Sequence, residues 1–170
     1  KYPFVKQTGI KDCGVSCLKM LIMYYQGYID TKKLQEMTKT TKSGTTAFHL
    51  IEAAKEIGFH ATGFRVDIEN INKDNMILPC IANVIIDNKY NHYIVIYEID
   101  YKKRKMLIAD PANKLYKITF EEFEKIWTNI LLFMYPIKKI PLYTKEQKPL
   151  HFLLNIILGY KKIIINIILI

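Results

Sequence analysis

The chain has 170 residues, half of them hydrophobic and 24% charged, with seven Gly and six Pro. That composition suits a globular domain with a sizeable core and excludes collagen, flexible-linker and wholly disordered chains. Twenty-five basic residues against 16 acidic ones give a net charge of +9, but only Arg65 and Arg104 are arginines, so a bias toward Lys and Ile explains the charge better than nucleic-acid binding, which favours the bidentate guanidinium.

Asp12 opens a helix in which Val15, Leu18, Leu21, Ile22 and Tyr25 recur at helical spacing, with Gly27 as its stop. Asp30-Thr31 caps a short second helix running through Met37. Ser43-Gly44-Thr45 opens a third, Thr46 to Ile57, ended by Gly58, with Phe48, Ile51, Ala54 and Ile57 as its apolar stripe. Strands follow at His60 to Val66, Ile77 to Ile86, His92 to Ile99, Met106 to Asp110 and Leu115 to Ile118. Thr119 and Glu122 form a capping box for a helix reaching Trp127, and Ile130 to Tyr135 closes the sheet. Helices first and an antiparallel sheet after them predict an α+β domain over residues 1–140.

Residues 141–170 read as a basic linker and the start of a membrane region. From residue 138 onward six lysines face one acid, Glu146, and the chain ends on the apolar run IIINIILI after Lys162. Eight residues, seven of them apolar, are too few to span a bilayer, which takes about 20, so the sequence is expected to be cut where a membrane segment begins. A C-terminal amphipathic helix packed on the body is the alternative. The opening KYPFVKQTGIKDCG contains no apolar run of the signal-peptide kind.

Three cysteines allow three chemistries. Zinc would want a second ligand pair beside Cys13 and Cys17, and a redox site would want a Cys-x-x-Cys. Nucleophilic catalysis needs one activated thiol, and Cys13 stands at the first turn of a helix, where free N–H groups and the helix dipole favour the thiolate. Cys17, one turn deeper, and Cys80, in a buried strand, are expected to pack. A thiol enzyme also needs a base. His49, His60 and His151 have no acid placed beside them by any short argument. His92 does. Strands 92–99 and 106–110 form a hairpin whose paired positions have index sums of about 203–206, which brings Asp110 to the sheet end where His92 stands. A carboxylate there can hold an imidazole in the tautomer a base requires, although Asp before Pro111 also suits a plain turn. The backbone N–H of Cys13 can supply one oxyanion donor, and the side-chain amide of Gln7 is the candidate for a second.

Taken together, Gln7, the run Asp12-Cys13-Gly14-Val15-Ser16-Cys17-Leu18, Asn91-His92-Tyr93 and Asp110-Pro111-Ala112 resemble the double-glycine leader peptidase domain at the N terminus of peptidase-containing ABC transporters, which mature and export bacteriocins and peptide pheromones. GTTAFHLIEAAKEIGFHA and LPCIANV extend the resemblance over about residues 1–140. It implies a papain-like cysteine peptidase fold with Cys13 as nucleophile, His92 as base and then acid, Asp110 orienting His92, and Gln7 at the oxyanion hole. It further implies cleavage after Gly-Gly in the leader of a precursor peptide, no metal, and no cofactor in this fragment. ATP and Mg would belong to a nucleotide-binding domain elsewhere in the whole protein; the present sequence has no GxxxxGK[ST]. The partners implied are the precursor peptide and the rest of a transporter, a homodimer at the cytoplasmic face of a bacterial membrane, with no nucleic acid. The basic stretch before the apolar one agrees with a cytoplasmic flank. Two other readings are a module that docks leaders without cutting them, and a different Cys-His-Asp enzyme such as a peptidoglycan amidohydrolase.

Overall fold

A computed structural model of the protein describes residues 2–87 and 89–140. The expected linker and membrane start at 141–170, with His151, lie outside the described residues. No helix among the described residues is long and apolar enough to cross a membrane.

Three helices come first: α1 (Cys13–Tyr24), α2 (Thr31–Met37) and α3 (Ala47–Ile57). Asp30 accepts from the Lys32 N–H and Thr46 from the His49 N–H, so α2 is capped at the residue its sequence foretells and α3 at Thr46, just past the expected opening at Ser43-Gly44-Thr45. Gly58 ends α3 at φ 116, the left-handed conformation that a residue without Cβ adopts at least cost. Two expectations need correction. The left-handed position after α1 belongs to Gln26, at φ 63. Gly27 is instead required by space, since a Cβ there would lie 2.3 Å from Cγ2 of Ile140. On α3 the buried face is Leu50, Ala53, Ala54 and Ile57, whereas Phe48 is 65% exposed. Paired alanines let the helix lie close to the sheet, and that face wins over the bulkier stripe.

The sheet has six antiparallel strands: β1 (Phe59–Arg65), β2 (Cys80–Ile86), β3 (Tyr90–Asp100), β4 (Lys105–Ala109), β5 (Leu115–Thr119) and β6 (Trp127–Pro136). Their spatial order is β1-β6-β2-β3-β4-β5. The expected capping box at Thr119 and Glu122 is present, but the helix it starts, α4 (Phe120–Glu124), is shorter than predicted, and β6 begins three residues earlier. The α+β expectation holds: α1 and α3 lie on one face of the sheet, over Tyr93, Val95 and Tyr97 of β3. The opposite face carries Ile94 and Ile96 against Phe120, Phe123 and Trp127. Burial on both faces is why β3 reads as a near-continuous apolar run rather than as an alternation.

Candidate active site

The loop 7–12 and the start of α1 form one wall of the site. Asp12 occupies the N-cap position, but its side chain makes no cap bond. The carboxylate accepts instead from Thr8 Oγ1 at 2.7 Å, the Gly9 N–H at 3.0 Å and Gln35 Nε2 at 2.8 Å. It therefore ties the loop to α2 and leaves the first-turn N–H groups of α1 without a side-chain partner, open to an anion. Cys13 is the first helical residue and is 7% exposed. Gly14 lets this turn approach the rest of the domain closely: a Cβ there would lie 2.5 Å from Cγ2 of Thr45 and 3.3 Å from the Tyr93 ring.

The other wall is the β3–β4 hairpin. Asp100 pairs with Lys105 and Val95 with Ala109, within the predicted register, with a one-residue shift between Ile96 and Glu98. Continuing that register would set Asp110 opposite Ile94, a diagonal neighbour of His92. The chain turns there, and His92 Nε2 meets Asp110 Oδ1 at 2.7 Å, both residues being buried. The same Oδ1 accepts from the Ala112 N–H at 2.9 Å, which fixes the carboxylate against its own turn. Burial alone would depress the His92 pKa, but hydrogen bonding to Asp110 and the proximity of Cys13 outweigh it and raise the value to about 9. The ring is thus an imidazolium at neutral pH. With Nε2 held by Asp110, Nδ1 is the nitrogen left for the thiol.

Gln7 arrives by a different route. Its N–H donates to the Pro111 carbonyl at 2.9 Å, joining the N-terminal segment to the Asp110 turn. Tyr97 Oη holds the same segment further back by donating to the Pro3 carbonyl at 2.6 Å. The Gln7 side-chain amide makes no hydrogen bond among the described residues, and its Oε1 is buried without a partner. Main chain and side chain thus have different duties: the first anchors, the second is free.

The structure therefore brings His92 against Asp110, sets Cys13 near enough to act on the same ring, and ties Gln7 to the Asp110 turn. Of the remaining described candidates, the two histidines have other surroundings, and Cys17 lies one turn below Cys13 in the core. His49 sits in the first turn of α3, and His60 stacks on Tyr135 with ring centroids 4.9 Å apart. Cys17 and Cys80 are fully buried, and burial pushes both thiols well above the ordinary range, so they stay protonated. Sequence reasoning missed Gln35, Tyr97 and Asn83, whose Nδ2 donates to the His92 carbonyl at 3.1 Å. The first two carry no local signal. Asn83 does, as a lone amide inside the apolar strand CIANVII.

A sequence profile of the Peptidase C39 family matches residues 1–139. The chain belongs to that family. The C39 domain is 37% identical over 132 residues to the lactococcin-G-processing and transport ATP-binding protein LagD of Lactococcus lactis, covering 78% of this chain and 18% of LagD. It is 34% identical to the mesentericin-Y105 transport/processing ATP-binding protein MesD of Leuconostoc mesenteroides, covering 99% of this chain and 23% of MesD. The chain thus spans less than a quarter of the length of these curated relatives. Among solved structures, the peptidase domain of Streptococcus ComA superposes with a TM-score of 0.74 at 30% identity, covering 80% of this chain and 99% of that one. A double glycine motif protease from an AMS/PCAT transporter, in complex with its leader peptide, gives 0.72 at 28% identity, covering 80% and 92%. The resemblance read from the sequence holds, as does the assignment to the cysteine peptidases.

Proposed function

We propose that this C39 domain removes the leader from an exported precursor peptide by cutting after a Gly-Gly pair, as part of a processing transporter at the cytoplasmic face of a membrane. The observation that carries the proposal is the buried His92–Asp110 pair beside a cysteine at an uncapped helix start. The names of the relatives support the substrate class: LagD and MesD are processing and transport proteins, and one solved relative holds a leader peptide.

The chemistry follows from the charged His92 ring beside the Cys13 sulfur. The Cys13 thiolate attacks the carbonyl carbon of the second glycine. The oxyanion that forms takes hydrogen bonds from the Cys13 N–H, which the helix holds in place, and from the Gln7 amide, which has no other partner among the described residues. The His92 imidazolium gives its proton to the departing amine, and the cargo peptide leaves. Neutral His92 then draws a proton from water, the hydroxide attacks the thioester, and the leader departs as a carboxylate while the thiolate and imidazolium return. Asp110 holds the ring through both steps.

The leader needs an apolar seat if it binds as an amphipathic helix. We assign it to the surface cavity of about 560 Å³ between α2 and α3, where Met37 and Ala53 lie beside the exposed Phe48 and Lys39, His49, Glu52, Lys55 and Glu56 complete a polar rim for the outer face of such a helix. Changing Phe48 to Asp is expected to raise KM for a full-length leader by about tenfold, the worth of one good apolar contact. It should leave the cleavage of a short peptide ending at the Gly-Gly site unaffected. Equal KM values for wild type and variant would remove this cavity as the seat.

The substrate class is tested with a synthetic leader joined to a short cargo, cleavage being followed by mass spectrometry. Cleavage is expected at one bond, after Gly-Gly, and replacing either glycine by Val should cut the rate at least about 100-fold, because selection for paired glycines requires that neither position accept a side chain. Tight binding with no product from the intact thiol would overturn the proposal in favour of a docking module. Cleavage of muropeptides instead would make the domain an amidohydrolase.

A further inference from the structure

We infer that Asn83 and Thr128 are positioning residues for His92, a two-residue clamp of a buried amide and a half-buried hydroxyl that holds the backbone of the base while Asp110 holds its ring. The inference rests on the functional reading above.

Four observations lead to it. First, β3 pairs with β2 as far as Tyr90 opposite Ile86, but the β3–β4 ladder stops at Val95 opposite Ala109, because the chain turns at Asp110. Residues 92–94 are therefore held by a strand on one side only. Second, Asn83 is a buried amide in an otherwise apolar strand, a placement that is unfavourable unless its polar atoms are paired. Both are paired: Nδ2 donates to the His92 carbonyl at 3.1 Å, and Oδ1 accepts from Thr128 Oγ1 at 2.7 Å. Third, Thr128 gets there through a bulge. Strand β6 pairs Trp127 with Val84 but Ile130 with Asn83, so Thr128 and Asn129 are additional residues, and Asn129 takes φ 64. Bulges of this kind re-aim side chains beside functional sites. Fourth, Asn129 is itself held in the bulge, its Nδ2 donating to Asp67 Oδ1 at 3.0 Å.

The physical consequence is a division of labour. Asp110 fixes the Nε2 end of the imidazole, which leaves the ring able to swing with its Cα. The Asn83 amide removes that freedom at the His92 carbonyl, and the Thr128 hydroxyl keeps the amide turned with its N–H toward His92. Without the hydroxyl the Asn83 amide can rotate, the His92 backbone relaxes, and Nδ1 drifts from the line between the sulfur and the leaving nitrogen. Misplacement of a reacting group on the scale of 1 Å costs rate and not substrate affinity.

The test uses Thr128→Val, which keeps the shape and deletes the hydroxyl, Thr128→Ser, which keeps the hydroxyl, and Thr128→Ala as a second deletion. Two readouts are taken on the same proteins: kcat and KM for a Gly-Gly leader peptide, and the rate of Cys13 alkylation by iodoacetamide as a function of pH, which needs no substrate. Thr128→Val and Thr128→Ala are expected to lower kcat about tenfold with KM within about twofold of wild type. Both should alter the alkylation profile, and Thr128→Ser should restore it. Wild-type kcat and alkylation in both deletion variants would overturn the inference. So would a loss in Thr128→Ser equal to that in Thr128→Val, since packing and not the hydroxyl would then be the cause. A wild-type protein that cuts no Gly-Gly leader would overturn the functional reading instead, while the alkylation comparison would still decide the clamp.

Discussion

Replacing Cys13 by Ala is expected to abolish leader cleavage, by at least about 10,000-fold in kcat, because no other group at the site can form the acyl intermediate. Cys17→Ala and Cys80→Ala should retain turnover close to wild type. Both thiols are fully buried and their pKa values are driven up by desolvation, so neither supplies a thiolate at neutral pH. Their loss shows up as stability: deleting a buried sulfur in a packed core costs about 1–2 kcal/mol. Cys13→Ala, at the edge of the core, should melt close to wild type. The same contrast appears without substrate, since iodoacetamide should modify Cys13 alone in the folded protein and all three cysteines after denaturation. Cleavage by a folded Cys13→Ala protein, or preferential alkylation of Cys17, would remove Cys13 from the proposed mechanism.

Asp110→Ala should produce the second large effect, with a distinctive pH dependence. In the wild type, burial works against a charge on His92, and the hydrogen bond that the ring donates to Asp110, together with the nearby Cys13, reverses the balance, raising the pKa to about 9. The proton needed by the leaving amine is therefore present at neutral pH and lost as pH rises through about 9, so kcat/KM should fall on that limb. Without the carboxylate, desolvation is less well opposed. The limb should move to lower pH, and kcat should fall by about 100- to 10,000-fold, because the ring loses both its proton and its orientation. Stability must follow the same linkage. A histidine whose pKa is raised above its ordinary 6.5 by folding stabilises the fold fully below 6.5, and loses that contribution as pH climbs through about 9. The melting temperatures of wild type and Asp110→Ala should therefore converge over that interval. An unchanged alkaline limb in the variant would show that Asp110 does not hold the His92 proton.

These two experiments probe residues that sit far apart in the chain, and the sequence reaches them unequally. The helix caps at Asp30 and Thr119 were legible because a cap is a contact between residues two or three apart. The meeting of His92 with Asp110 was legible for a related reason: a short turn fixes the register of a hairpin, and register fixes which side chains share an end of the sheet. The face of α3 was not legible, because Phe48 and Leu50 are both apolar, and only the close approach of the sheet favours the face bearing Ala53 and Ala54.

Within the candidate site the same division holds. Local chemistry alone set Cys13 at a helix start and made Gln7 a possible donor. Nothing local placed Gln7 beside the Asp110 turn, for its anchor is a main-chain bond to Pro111 across most of the sequence. Nor could any local pattern insert β6 between β1 and β2, or bulge it at Thr128 and Asn129 beneath Asn83. The amino-acid sequence by itself determined the elements, the caps at Asp30 and Thr119 and the hairpin that joins His92 to Asp110, since each depends on contacts closed by a few residues of chain. The tertiary structure decided which face of α3 is buried, where the Gln7 amide stands and what bonds the His92 carbonyl, because those contacts form only when strands distant in sequence pair and exclude water together.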